Sequence, residues 1–195
     1  MTYTRLPSRN LDKSVGLMRP ACVLPEHVTL DSPALDVMTD FRRMTAFIAT
    51  PGDTIAQAEE RMHRRKVKLL FVMDSEDHVA GLITSTDIRG EKPMQIVQSR
   101  GIRRDEIVVA DLMTPVDRLE AVDYDDIAHA RVGHVLETMK ARGRQHALVI
   151  EQVGSRQMVR GLLSLTQLCK QLGVVVETTE IAHTFTEIEQ QLAHV

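Results

Sequence analysis

Aromatic side chains make up only 3% of the 195 residues and tryptophan is absent, so the chain offers few platforms on which nucleic-acid bases could stack. Nor is there an excess of positive charge: 24 Lys+Arg against 27 Asp+Glu leave a net charge of -3, which argues against a general polyanion binder. Cysteine is scarce, and Cys22 and Cys169 form neither a CxxC pair nor a disulfide framework, so a reducing cytoplasm is the expected location. The longest apolar run, Leu69 to Met73, falls far short of the ~20 residues a membrane helix needs, and no membrane insertion is expected. The first thirty residues, with Arg5, Arg9, Asp12, Lys13 and Arg19, lack the apolar stretch of a signal peptide. What is present is aliphatic: 43% hydrophobic residues, including 10 Met, enough for a core that fills its gaps flexibly.

The chain contains a repeat. Asp36-Val37-Met38-Thr39 recurs 75 residues later as Asp111-Leu112-Met113-Thr114, and the same succession of patterns follows each. In the first copy Thr45 to Ala49 reads as a strand, and Thr54 with Gln57 forms a capping box for a helix whose inner face carries Ile55, Ala58 and Met62. Leu69–Met73 and Val79–Thr84 read as a hairpin, followed by a helix from Pro93 to Arg100. In the second copy Leu119 to Val122 is extended and Asp125 or Asp126 caps a helix. Ala128, Val132, Val135, Leu136 and Met139 line that helix and Gly143 stops it. Ala147–Ile150 and Met158–Ser164 form the second hairpin, and a short helix ends at Gly173. The unit is strand-helix-strand-strand-helix, twice, an α+β fold. The expected boundaries are an N-terminal extension over 1–34, repeats over 35–105 and 106–173, and a C-terminal helix or tail over 174–195. In that tail Ile181, Phe185, Ile188 and Leu192 make one apolar stripe, suited to docking on the chain's own domain or on a partner's helix.

These residues resemble the tandem cystathionine-beta-synthase-type (CBS) domain pair, or Bateman module, over roughly 35–173. The resemblance rests on the doubled D-x-M-T opening, on the order of elements, and on Gly81-Leu82-Ile83-Thr84-Ser85-Thr86-Asp87, which matches the family's G-h-h-[ST]-x-x-D segment. It implies two repeats related by pseudo-twofold symmetry, pairing into a homodimer, and an adenosine-containing ligand held in the cleft between the copies. Candidates are AMP, ADP, ATP, a related nucleotide, or S-adenosylmethionine; no cofactor is required. Thr84, Ser85 and Thr86 would meet a phosphate, while Asp87, with both oxygens free, would grip the ribose. Ala46, Ile48, Lys68 and Leu69 would wall the base. Thr84 and Asp87 can equally be read as a helix cap, which is what such residues commonly do beside a strand end.

The second copy departs from the motif. Its segment Gly161-Leu162-Leu163-Ser164-Leu165-Thr166-Gln167 keeps the hydroxyl at Ser164 but replaces the carboxylate with Gln167, so its cleft is expected to be weaker or empty. His146 stands where the family often has a base facing phosphate, and Leu69 holds that place in the first copy. Further departures are Lys66 in place of a helix-ending Gly and Phe71 in place of Pro. The basic run Arg61, His63, Arg64, Arg65, Lys66 and Lys68 complements a helix C-terminus or meets a polyphosphate. Glu120, Asp123, Asp125 and Asp126 lie where carboxylates favour a helix start, and their spacing fits no calcium loop. Eight dispersed His show no metal-ligand spacing, and no nucleophile motif or P-loop occurs. The expected function is therefore regulatory ligand binding without catalysis, changing self-association or the binding of a protein partner. A docking scaffold with vestigial clefts is the alternative.

Overall fold

The capping box at Thr54 forms as expected: its hydroxyl accepts from the Gln57 amide, and the Gln57 side chain accepts from the Thr54 amide in return. This is a computed structural model, and it describes residues 24–174 together with Phe185, Ile188, Gln191 and Leu192. A 3-10 turn at Ala34–Val37 leads into β1 (Met38–Asp40), β2 (Ile48–Ala49), α1 (Ile55–Arg65), β3 (Leu69–Met73), β4 (Val79–Thr84), α2 (Ser85–Arg89) and α3 (Lys92–Arg100). The second half follows with α4 (Val109–Leu112), β5 (Thr114–Pro115), β6 (Ala121–Asp123), α5 (Tyr124–His129), α6 (Val132–Arg142), β7 (His146–Val153), β8 (Arg156–Ser164) and α7 (Leu165–Leu172).

The two repeats exchange strands. One sheet has the order β2-β3-β4-β5 and the other β1-β8-β7-β6, so the strand that opens each copy closes the sheet of the other. Thr39 pairs with Leu162 and Asp40 with Gly161, while Thr114 pairs with Leu82 and Pro115 with Gly81. The correspondence of these registers is the pseudo-twofold relation. Each hairpin carries a bulge at the matching place, between Val72 and Met73 and between Val149 and Ile150. Each exchanged strand passes so close to the other sheet that only glycine fits: a Cβ on Gly81 would lie 2.5 Å from the Thr114 carbonyl oxygen, and one on Gly161 would lie 2.8 Å from that of Thr39.

The second copy departs from the expected single helix capped at Asp125 or Asp126. Helix α5 starts directly after Asp123, with no side-chain cap, and the chain breaks at Ala130 and Arg131 before α6. The cause is a segment distant in sequence. Ala34 donates its amide to the Ala130 carbonyl, while Val132 and Gly133 donate theirs to the carbonyls of Ser32 and Leu30. In the first copy the same role is played by the chain at 107–109, where Ile55 donates to Ile107 and Val109 to Asp53. Arg131 is therefore the counterpart of Thr54, and α5 replaces the turn at 50–53. The strands differ in extent as well: only Ile48–Ala49 of the expected Thr45–Ala49 enters the ladder, and Leu119–Val122 moves to Ala121–Asp123. Lys66, where a glycine was expected, does adopt the left-handed conformation (φ 55°), as Gly143 does in the other copy (φ 57°).

Three apolar clusters hold this arrangement. Ile55, Ala58, Met62, Leu70, Val72 and Ile83 fill the helix side of the first sheet, and Val132, Val135, Leu136, Met139, Val149 and Leu163 fill that of the second. Leu69, Phe71, Leu82 and Leu148 meet between the sheets, where Phe41 sets its ring edge-on to Phe71 at 5.3 Å. Phe185 and Ile188 are buried in the second repeat's core with Leu192 against it, so these three stripe residues dock on their own chain; Ile181 and Cys22 lie outside the described residues. Cys169 is buried, and burial pushes its thiol up to about 11.

Candidate functional site

The ladder registers bring the candidate residues to one level of the fold. Leu69 pairs with Thr84, and His146 with Ser164. Phe71 donates its amide to the Phe47 carbonyl, which sets Ala46 on the other flank of Leu69. Leu69 and His146 thus occupy equivalent places, one buried and apolar, the other half-buried and polar.

At Thr84 the chain turns from β4 into α2, and the whole motif closes on itself. The Thr84 amide and hydroxyl donate to Asp87 Oδ2 at 3.0 and 2.6 Å, and the Asp87 amide donates back to Thr84 Oγ1 at 3.2 Å. Asp87 Oδ1 accepts from Lys92 Nζ at 2.6 Å. The expectation of two free carboxylate oxygens does not match this geometry: one oxygen already accepts two hydrogen bonds and the other meets an ammonium. The Ser85 amide is engaged as well, donating to the Lys68 carbonyl, while Thr86 stands exposed. In the second copy Ser164 precedes α7 without a side-chain cap, Leu165 donates to the Gln145 carbonyl, and Gln167 is half-buried.

His146 is held neutral. Burial first, and the Lys68 cation second, push its pKa from 6.5 down to about 4. Since Lys68 belongs to β3's approach and His146 to β7, this pair spans the two repeats. The folded state therefore refuses a proton that the unfolded chain accepts below about pH 6.5. Stability should fall as pH drops through the window from 6.5 toward 4, by up to about 1.4 kcal/mol per pH unit, and be unaffected above it. His146→Leu, copying Leu69, is expected to flatten this slope. Urea midpoints between about pH 6.5 and 5.5, where most carboxylates stay ionised, would show it, and equal slopes for both proteins would contradict it.

Between the sheets lies a cavity of about 460 Å³, within the usual range for small-molecule sites. Ala46 and Ile48 line it together with Phe71, Leu148 and Ile150, so residues of both repeats face one space. Lys68, Leu69, Thr84 to Asp87, His146, Ser164 and Gln167 are not among its lining; these candidates gather at the strand ends remote from the hairpin turns. The opposite rim carries Asp77, His78, Glu120 and Gln157; of these the sequence singled out only Glu120, as one of the carboxylates before a helix start. His78 sits 3.8 Å from both Asp74 and Glu76.

The basic run divides. Arg61 is structural, donating to the Ile48 carbonyl at 2.6 Å and to Asp53 at 3.0 Å, which ties α1 to β2. Arg64 pairs with Glu60, and Arg65 lies 5.4 Å from the Phe47 ring centre. Glu120 pairs with Arg142 at 2.6 Å. Among the described residues no three His, Cys, Asp or Glu side chains cluster as metal ligands, and no helix is long and apolar enough to cross a membrane.

A CBS domain family model matches residues 34–92. Inosine-5'-monophosphate dehydrogenase of Thermoplasma acidophilum is 28% identical over 172 residues, covering 82% of this chain but only 33% of that relative. Among solved structures, an uncharacterized conserved protein of Pyrococcus horikoshii superposes with a TM-score of 0.54 at 22% identity, over 78% of this chain and all of that one. The CBS domain pair of protein MJ0100, in complex with 5'-methylthioadenosine and S-adenosyl-L-methionine, gives 0.50 at 15% identity, over 73% and 96%. The CBS model matches the first repeat, and the same hairpin, bulge and exchanged strand recur in the second, so the fold is that of a pair of such domains.

Proposed function

We propose that this chain is a regulatory module that binds an adenosine-containing ligand between its repeats and thereby alters its pairing with itself or with a protein partner. The observation that carries the reading is the cleft of about 460 Å³ walled by Ala46 and Ile48 from one repeat and Leu148 from the other. A ligand there touches both halves, and so can favour one relative arrangement over another; a tenfold preference supplies about 1.4 kcal/mol. Similar chemistry is seen in the MJ0100 pair, which holds two adenosyl compounds. The hydroxyl segment Thr84 to Thr86 and the carboxylate of Asp87 would read phosphate and ribose outside that lining, at the strand ends where Lys68, Leu69, His146, Ser164 and Gln167 gather. The proposed role is binding alone, without a catalytic step.

A melting-temperature panel with AMP, ADP, ATP, S-adenosylmethionine and 5'-methylthioadenosine tests this. A ligand at about 100 times its dissociation constant should add about 2.7 kcal/mol of stability. Asp87→Ala should abolish most of the shift. No shift with any of them would favour the docking scaffold, a reading that the fully engaged Asp87 supports.

A further inference from the structure

Asp87 carries more partners than a helix cap needs. The cap is complete with Oδ2 alone, which takes the Thr84 amide and hydroxyl. Oδ1 is left over, and Lys92, five residues on and at the first position of α3, reaches back across Gly90 to bind it at 2.6 Å. The Asp87 side chain is 13% exposed whereas that of Lys92 is 55% exposed. The carboxylate is therefore fixed, and the ammonium on its flexible stem is the part that can move.

A ribose offers two hydroxyl donors to a carboxylate, but here Oδ2 is filled by the cap and Oδ1, beside Lys92, has one lone pair left. A ribose that brings both hydroxyls to Asp87 must push the ammonium aside. With adenosine or methylthioadenosine the displaced cation gains nothing in return. A phosphorylated adenosine brings an anion to the same place, so the ammonium exchanges one anionic partner for another. We infer that Lys92 is a specificity-determining residue that disfavours uncharged adenosyl compounds and favours phosphorylated ones at the Asp87 site. This rests on the adenosyl reading above.

The test is calorimetric titration of the full chain with adenosine and with AMP. Lys92→Met should bind adenosine about threefold more tightly and AMP about threefold more weakly, as expected for one partly exposed ion pair, so the preference for AMP falls about tenfold. Lys92→Arg, which keeps the charge, should retain the wild-type preference. Raising salt from about 50 mM to about 500 mM should tighten adenosine binding to the wild type by screening the Lys92–Asp87 pair, and leave it flat in Lys92→Met. If both ligands bind and Lys92→Met leaves their ratio unchanged, or shifts both in one direction, the role of Lys92 is overturned while the cleft reading stands. If neither ligand binds the wild type or the variant, both fall together.

Discussion

Gly81→Ala is expected to destabilise the fold by about 3 kcal/mol, and Gly161→Ala by somewhat less. The new methyl group at position 81 would lie 2.5 Å from the Thr114 oxygen and 3.2 Å from both Met113 Sδ and Pro115 Cα. The nearest obstacle is backbone, and it belongs to the strand that holds the two halves together, so relief means loosening the β4–β5 ladder. At Gly161 the Thr39 oxygen lies at 2.8 Å, but so does Met38 Sδ, which can swing away on its flexible side chain and relieve part of the clash. Gly52→Ala is the control: nothing lies within 4 Å of its added methyl, and the change should stay within about 0.5 kcal/mol. Urea unfolding of the three variants would rank them. Equal midpoints for all three would mean that the exchanged strands do not bear on the sheets as closely as the structure has them.

Asp40→Ala should cost about 2–3 kcal/mol, more than Arg160→Met at the other end of the same ion pair. Arg160 is the bulge residue of β8, only 8% exposed, and pairs with Asp40 and, at 3.0 Å, with Glu151. Its guanidinium also lies 4.8 Å from the Tyr124 ring centre. Burial lowers its pKa from the ordinary arginine value. Removing Asp40 leaves this cation buried beside a single carboxylate, and also frees the Arg42 amide that Asp40 accepts at 2.8 Å. Methionine at 160 keeps most of the packed volume, and the two carboxylates retain other partners: Arg42 lies 2.9 Å from Glu151 and Arg43 lies 3.7 Å from Asp40. Adding Asp40→Ala to Arg160→Met should then cost much less than Asp40→Ala alone. Strict additivity in this cycle would remove the case for a coupled pair.

Much of this architecture was legible because periodicity and capping are local. The Thr54–Gln57 box, the two hairpins, the stop at Gly143 and the Phe185 and Ile188 stripe are written in neighbouring residues, and the doubled D-x-M-T gave the repeat. What was not legible is set by distant pairing. The break between α5 and α6 exists because residues 30–34 take up the hydrogen bonds of 130–133, about a hundred positions away. The exchange of β1 and β5 is hidden for the same reason: a three-residue or two-residue strand has no period to read, and its partner lies in the other copy. At the site, the sequence marked Thr84 and Asp87 but not Lys92, since a lysine five residues from an aspartate carries no signal of a 2.6 Å contact. Arg160 was equally hidden, because only a bulge, itself a property of paired strands, turns an apparently exposed position into a buried one.

The exchanged strands bear on how the molecule would respond to being cut. A protease acting on the exposed stretch at 103–106, between α3 and α4, would sever the only backbone link between the two halves. Each fragment would nonetheless keep hold of the other's sheet, the first through β1 on β8 and the second through β5 on β4. A nicked chain should thus travel as one particle in gel filtration and fall into two pieces only in denaturant. The peptide bonds at that point serve assembly, by delivering each strand to its place, and are dispensable once the halves are interlocked.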